Sequence, residues 1–203
     1  TELIKGLGIL LIVLHNYFHW VPLNTGENEF YFNPNATKNL FNIISNHYSH
    51  IINGLFSFFG HYGVQLFVFI SGYGLSKSYI HKQQNFGAFF KKRILKIYPA
   101  FLIGILVLII YNNFVYSFLP DFKWFTTILY KVLMIHTLIP GESLSINGPW
   151  WFYGLIMQLY FLFIPLFYVI KGWGWNGFLF IIILSYYAIF YFYTPLLNEN
   201  VYI

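Results

Sequence analysis

Lys5, His15 and His19, with Asn16 beside the first histidine, sit in a stretch of sequence that is otherwise almost wholly apolar. At 100° per residue His15 and His19 are neighbours on one helical face. Asn16 falls about 20° from Lys5 around the axis and His19 about 40° to its other side. The four therefore share one broad polar stripe. Unpartnered polar groups are costly in hydrocarbon, so the stripe must face a bundle interior or a water-filled cavity. An imidazole placed there suits a general base that takes the proton of an incoming hydroxyl. The plainer alternative makes Lys5 a snorkelling anchor and pairs His19 with Trp20 in an interfacial belt.

Three further segments carry candidate groups. His61, Gln65 and Gly72 fall on one helical face, with Ser71 beside them and Ser76 a turn on, a set that suits close helix packing. In Lys91-Lys92-Arg93-Ile94-Leu95-Lys96, the cations Lys92, Arg93 and Lys96 could hold phosphates through charge-assisted bonds or simply signal topology. Asn147-Gly148-Pro149-Trp150-Trp151-Phe152 reads as a turn into an interface-anchored helix that continues through Gln158. Cys is absent, which removes a thiol nucleophile and any Cys-ligated metal. No phosphate-cradling glycine loop, His-Glu-x-x-His helix or Gly-x-Ser-x-Gly elbow occurs. His15 and His19 have the spacing of metal ligands, but no carboxylate lies near them in sequence, so no metal is expected.

The elements that must position these residues belong to a membrane. Of the 203 residues 58% are hydrophobic and only 8% charged, where a soluble domain needs roughly 25% charged residues to cover its surface. The net charge of +5 does not suggest nucleic acid, because the basic residues are few and lie between apolar runs. Charge is missing from residues 6–26, 39–76 (apolar from about 51), 97–120, 143–170 and 172–198. A weaker apolar segment at about 124–139 contains Lys131 and His136. A span needs about 20 apolar residues, so the predicted fold is all-α: a polytopic transmembrane bundle of about five full spans plus one short re-entrant or interfacial helix. The re-entrant reading of the weak segment rests on Lys131, which is costly at the centre of a bilayer. Lys77, Lys82, Lys91, Lys92, Arg93 and Lys96 make segment 77–96 a cytoplasmic loop by the positive-inside rule. The loop holding Glu27 and Glu29 is then outside. No internal repeat occurs, and residues 1–203 read as a single domain, the N-terminal portion of a longer protein.

Four segments, taken in order, resemble the acyltransferase 3 family of multi-span bacterial membrane acyltransferases. Lys5-Gly6-Leu7-Gly8-Ile9-Leu10-Leu11-Ile12-Val13-Leu14-His15 is similar to its first helix, in which a basic residue and Gly precede an aliphatic run and a His. Gly63-Val64-Gln65-Leu66-Phe67-Val68-Phe69-Ile70-Ser71-Gly72-Tyr73 resembles its Gly-Val-x-Leu-Phe-Phe-x-x-Ser-Gly-Phe helix. Lys92-Arg93-Ile94-Leu95-Lys96-Ile97-Tyr98-Pro99 is similar to its Arg-Arg-x-x-Arg-Ile-Tyr-Pro start of the next span, and residues 147–152 to its Asn-x-Pro-Leu-Trp-Phe-Leu segment. The family places its His one residue later, where this chain has Asn16. It also carries a Glu pair where this chain has Ile156 and Met157, which leaves Glu27 or Glu29 as acids that could stand in.

The resemblance implies an enzyme of the bacterial cytoplasmic membrane. It would move an acyl group, usually acetyl, from cytoplasmic acyl-CoA to a hydroxyl of a cell-surface glycan. His15 or His19 would act as base or acyl carrier, and Lys5 would stabilise developing negative charge. Lys92, Arg93 and Lys96 would hold the CoA phosphates. Asn16, His61, Gln65, Ser71, Trp151 and Gln158 would line the pocket. Acyl-CoA is then a donor substrate and not a resident cofactor, and the partners are donor, glycan and bilayer. A transporter or exporter of glycan precursors is the alternative, its polar stripe lining a permeation path.

Overall fold

The computed structural model describes residues 2–27, 33–116 and 120–193, and all regular structure among them is helical. Glu29 lies outside the described residues. The chain forms two compact units, Thr1–Gln83 and Gln84–Ile203.

The first unit contains α1 (Glu2–Phe18), α2 (Ala36–Asn46), α3 (Ile51–Phe59) and α4 (Tyr62–His81). Helix α1 packs along α3 and α4. The approach is close because glycines line it: a Cβ at Gly63 would meet the Gly8 carbonyl oxygen at 2.7 Å and Leu11 Cβ at 2.8 Å. Without a hydrophobic drive between helices in lipid, such small-residue contact is what lets dispersion hold them together. Helix α2 was not expected in a loop rich in Asn and His. It forms because Ala36, Leu40 and Ile43 recur at helical spacing and are buried against α3. Ile43 packs 3.0 Å from where a Cβ of Gly54 would stand.

The second unit contains α5 (Phe86–Tyr116), α6 (Phe122–Val132) and α7 (Trp151–Ala188), with 3-10 turns at His136–Leu138 and Gly148–Trp150. Its core is Phe101, Ile105, Met134, Trp150 and Met157. Asn85 starts α5 by accepting from Ala88 N at 2.8 Å, and Asp121 starts α6 by accepting from Trp124 N at 2.7 Å. The basic segment expected as a loop is mostly helix. Helix α4 runs to His81 and α5 begins at Phe86, so Lys92, Arg93 and Lys96 stand on the first turns of α5.

Two described helices, Phe86–Val115 and Gly148–Tyr191, are long and apolar enough to cross a membrane. The pair Tyr48–Phe59 and Tyr62–His81, bent by 46°, makes a third if it counts as one broken span. The five predicted full spans therefore stand as two or three candidates, for two physical reasons. At 17 residues α1 is only about 26 Å long. The last two predicted runs share one element, α7, which breaks at Gly174 (φ 54°, ψ −128°). A Cβ at Gly177 would stand 2.6 Å from the carbonyl oxygen of Val169, although an unbroken helix separates such positions by about 12 Å. The chain thus turns sharply there into two limbs. The weak segment at 124–139 folds as the short helix α6, about 16 Å long. Large apolar side chains face outward throughout, among them Leu3, Phe69, Val107 and Ile183, as lipid requires and water does not allow.

Candidate active site

Three imidazoles meet where α1 ends against the break between α3 and α4. The ring centres of His15 and His19 are 4.6 Å apart and those of His15 and His61 are 5.8 Å apart. His15 and His61 are buried, at 4% and 6% exposure, and His19 is half-buried. Gly60 makes the meeting possible: a Cβ there would stand 2.5 Å from His15 Cβ and 2.9 Å from the Leu11 carbonyl oxygen. Nδ1 of His15 donates to the Phe56 carbonyl at 3.2 Å. A carbonyl only accepts, so in the neutral ring Nδ1 carries the hydrogen and Nε2 the lone pair. A main-chain oxygen thereby orients the histidine. The positions where the family has its Glu pair, Ile156 and Met157, are buried apolar residues here.

A strap fastens the C-terminal end of α1. Asn53, buried on α3, donates from Nδ2 to the carbonyls of Pro22 at 2.7 Å and Leu23 at 3.3 Å. Thr25 N donates to Ser57 Oγ at 3.2 Å, and both residues are fully buried. Asn24 closes the turn by donating to the His19 carbonyl at 3.0 Å. None of Asn24, Thr25, Asn53 or Ser57 stood out in the sequence. For Asn53 and Ser57 the available signal was a pair of uncharged polar residues four apart in the otherwise apolar α3.

The other candidates on these helices are distributed unevenly. Lys5 lies ten residues before His15, about 15 Å along α1. Asn16 turns back to donate to Ile12 O at 2.9 Å. Gln65, with its amide oriented to satisfy both ends, donates to the His61 carbonyl at 2.8 Å. Ser71 is half-buried on α4, more than two turns beyond His61.

In the second unit Arg93 turns inward, its guanidinium 5.2 Å from the Phe89 ring centre and 5.7 Å from that of Tyr160. Such stacking on aromatic faces is a property of the flat, weakly hydrated guanidinium. Lys92 and Lys96, one turn apart, are exposed. Trp151 is half-buried in the first turn of α7, and Gln158 Nε2 donates to Thr137 Oγ1 at 2.6 Å.

A second polar cluster lies at the end of α6. Lys131 and His136 are both fully buried. The Lys131 ammonium donates to the carbonyls of Glu142 at 3.0 Å and Ser143 at 2.9 Å, and His136 Nε2 to that of Trp150 at 3.1 Å. Desolvation pushes Lys131 down to about 8, with the Glu142 carboxylate opposing. His136 is lowered as well, first by burial and then by the Lys131 charge. These bonds hold the segment after α6, where Ile146 adopts φ 63°, a strained angle for a β-branched residue. A cleft of about 380 Å³ opens beside it, lined by Lys123, Trp124, Thr127, Glu142 and Ser145 among others. Among the described residues no group of three His, Cys, Asp or Glu side chains is arranged to hold a metal ion.

The acyltransferase domain family, acyltransferase 3, matches residues 2–202. No curated protein and no solved structure matches the chain.

Proposed function

Since the chain belongs to the acyltransferase 3 family and is on that ground a membrane acyltransferase, we propose that it moves an acyl group, acetyl by preference, from cytoplasmic acyl-CoA to a hydroxyl of a cell-surface glycan. In this reading it is a multi-pass protein of the bacterial cytoplasmic membrane, with α1 and both limbs of α7 among its five crossings. The observation that carries the reading is the bond from His15 Nδ1 to the Phe56 carbonyl, which leaves Nε2 as a proton acceptor in a buried site.

The chemistry follows from that tautomer. As the acceptor oxygen bonds to the thioester carbonyl carbon, Nε2 of His15 takes the hydroxyl proton. The carbon–sulfur bond then breaks, sulfur leaves with the electron pair, and the proton passes from His15 to that sulfur. Ester and free thiol result. The Phe56 carbonyl keeps the ring from turning. Such a base contributes about 10²–10⁴ in rate. Lys5 is too far along α1 to touch the same atoms, so its charge acts at the donor's end of the path. Arg93, Lys92 and Lys96 hold the CoA phosphates, the guanidinium being pre-set by its two aromatic rings.

The test is acetyl-ester analysis of surface polysaccharide from cells carrying the full-length gene. His15→Ala should abolish acetylation while the protein still inserts. Wild-type acetylation in an inserted His15→Ala/His19→Ala double variant would overturn the assignment.

A further inference from the structure

We propose that the cleft beside α6 holds a sugar ring of the acceptor, with Trp124 as its apolar platform and Glu142 as the group that accepts its hydroxyl hydrogens; this rests on a surface glycan being the acceptor. The volume of about 380 Å³ falls within the range of small-molecule sites, about 300–1,000 Å³. Two stretches of chain form the walls. Helix α6 and its cap supply Asp121, Lys123, Trp124 and Thr127, and the segment 141–146 supplies Glu142, Ser145 and Ile146. The second wall is fixed through its main chain. Fully buried Lys131 donates to the carbonyls of Glu142 and Ser143, and Ser145 Oγ donates to that of Glu142 at 2.8 Å. Its carboxylate is thereby spared for a ligand. Left-handed φ angles at Met134 (55°) and Ile146 (63°) bracket the same segment, and strain of this kind collects at binding sites.

Oε2 of Glu142 is buried and has no hydrogen-bond partner among the described residues. A carboxylate oxygen only accepts, and burying one without a donor is costly, so it calls for a donor brought into the cleft. Asp121 uses Oδ1 to accept from Trp124 N, which leaves Oδ2 for a second donor. Lys123, exposed at the rim, donates in the other direction. A sugar hydroxyl is donor and acceptor at once, so a lining of both kinds suits neighbouring hydroxyls on one ring. The half-buried indole of Trp124 suits the ring's C–H face. A phosphate would meet two carboxylates beside a single exposed ammonium. Position agrees with this chemistry. Helix α5 carries Lys91, Lys92, Arg93 and Lys96 near its start and is 31 residues, about 46 Å, long. In the proposed topology that basic start is cytoplasmic, so Asp121, just beyond the other end, stands on the side where the glycan is.

The probe is the strain's own surface polysaccharide, stripped of ester groups by mild base, cut to short fragments and labelled with fluorescein. Full-length protein in nanodiscs should bind these fragments, read by fluorescence polarisation. Trp124→Ala and Glu142→Gln should each weaken binding roughly tenfold. In assays of thiol release from acetyl-CoA, both should raise KM for polysaccharide by the same factor. KM for acetyl-CoA, and kcat at saturating polysaccharide, should not move. If Trp124→Ala does not reach the membrane, Trp124→Phe, a smaller platform, should weaken binding about threefold. Fragments that fail to bind the wild type, or bind the inserted variants as well, would overturn the proposal. A rise confined to KM for acetyl-CoA would give the cleft to the donor and overturn it too. Binding that the variants lose, in a protein that releases no thiol, would keep the sugar site and remove the acyl-transfer reading beneath it.

Discussion

Gly60→Ala should separate the base from its orienting carbonyl by wedging a methyl against both. The added methyl would stand 2.5 Å from His15 Cβ and 2.9 Å from the Leu11 carbonyl oxygen, both on α1, and 2.5 Å from the Phe56 carbonyl oxygen on α3. Carbon atoms rest at about 3.5–4.0 Å, so α1 must retreat by about 1 Å. The bond from His15 Nδ1 to Phe56 O is already 3.2 Å long, and that retreat carries it past hydrogen-bonding range. Overpacking of this kind costs about 1–3 kcal/mol of stability, which an inserted helix bundle can survive. A misplacement of about 1 Å at the reacting centre costs on the order of 10²-fold in rate. The assay is acetyl-ester content of surface polysaccharide, normalised to membrane protein by immunoblot. Gly74→Ala on the neighbouring α4 is the control, since a Cβ there meets nothing within 4 Å. Wild-type acetylation by Gly60→Ala would refute the claim that glycine contact sets the histidine. An equal loss in Gly74→Ala would show that α4 tolerates no added methyl and that contact with α1 is not the cause.

Lys131 gives a pH prediction. Folding lowers it from an ordinary value near 10.5 to about 8, so the unfolded chain binds its proton more tightly. Stability should therefore be lowest below pH 8 and rise between pH 8 and 10.5, by up to about 3 kcal/mol. In detergent-solubilised protein this component of the rise in Tm should vanish in Lys131→Met, and identical pH dependence in the two proteins would refute it. Charge reversal at Arg93 should weaken acyl-CoA binding by roughly 10- to 100-fold, the worth of a charged hydrogen bond. Unchanged affinity, measured by equilibrium dialysis with labelled acetyl-CoA, would return the basic turns of α5 to a topology signal.

The helical class was legible because charge is costly in hydrocarbon, so its absence marks apolar helices directly. The shortness of α6 was legible for the converse reason: Lys131 is not a residue that faces lipid. What pattern could not supply were main-chain partners and bends. Phe56 orients His15 through its carbonyl, and a carbonyl has no letter in a sequence. The bend at Gly60 and His61 arises in residues whose φ and ψ are helical, so neither looked like a break. The sharp turn at Gly174 hid between two runs that counted as separate spans. Lys5 and His15 share a face by angle, but angle is silent about the 15 Å of axis between them.

Acyl chains present the same slippery surface to every side of an oily rod, so nothing in the solvent decides how such a rod is turned about its long axis. For α1 that decision is made by directional bonds: Asn53 to Pro22 and Leu23, Ser57 with Thr25, and Phe56 with His15. Ile9, Leu10 and Val13, half or more exposed, are then interchangeable among aliphatic types. The compass bearing of the imidazole is dictated from the adjacent helix, by small uncharged groups 30 and more residues away along the chain.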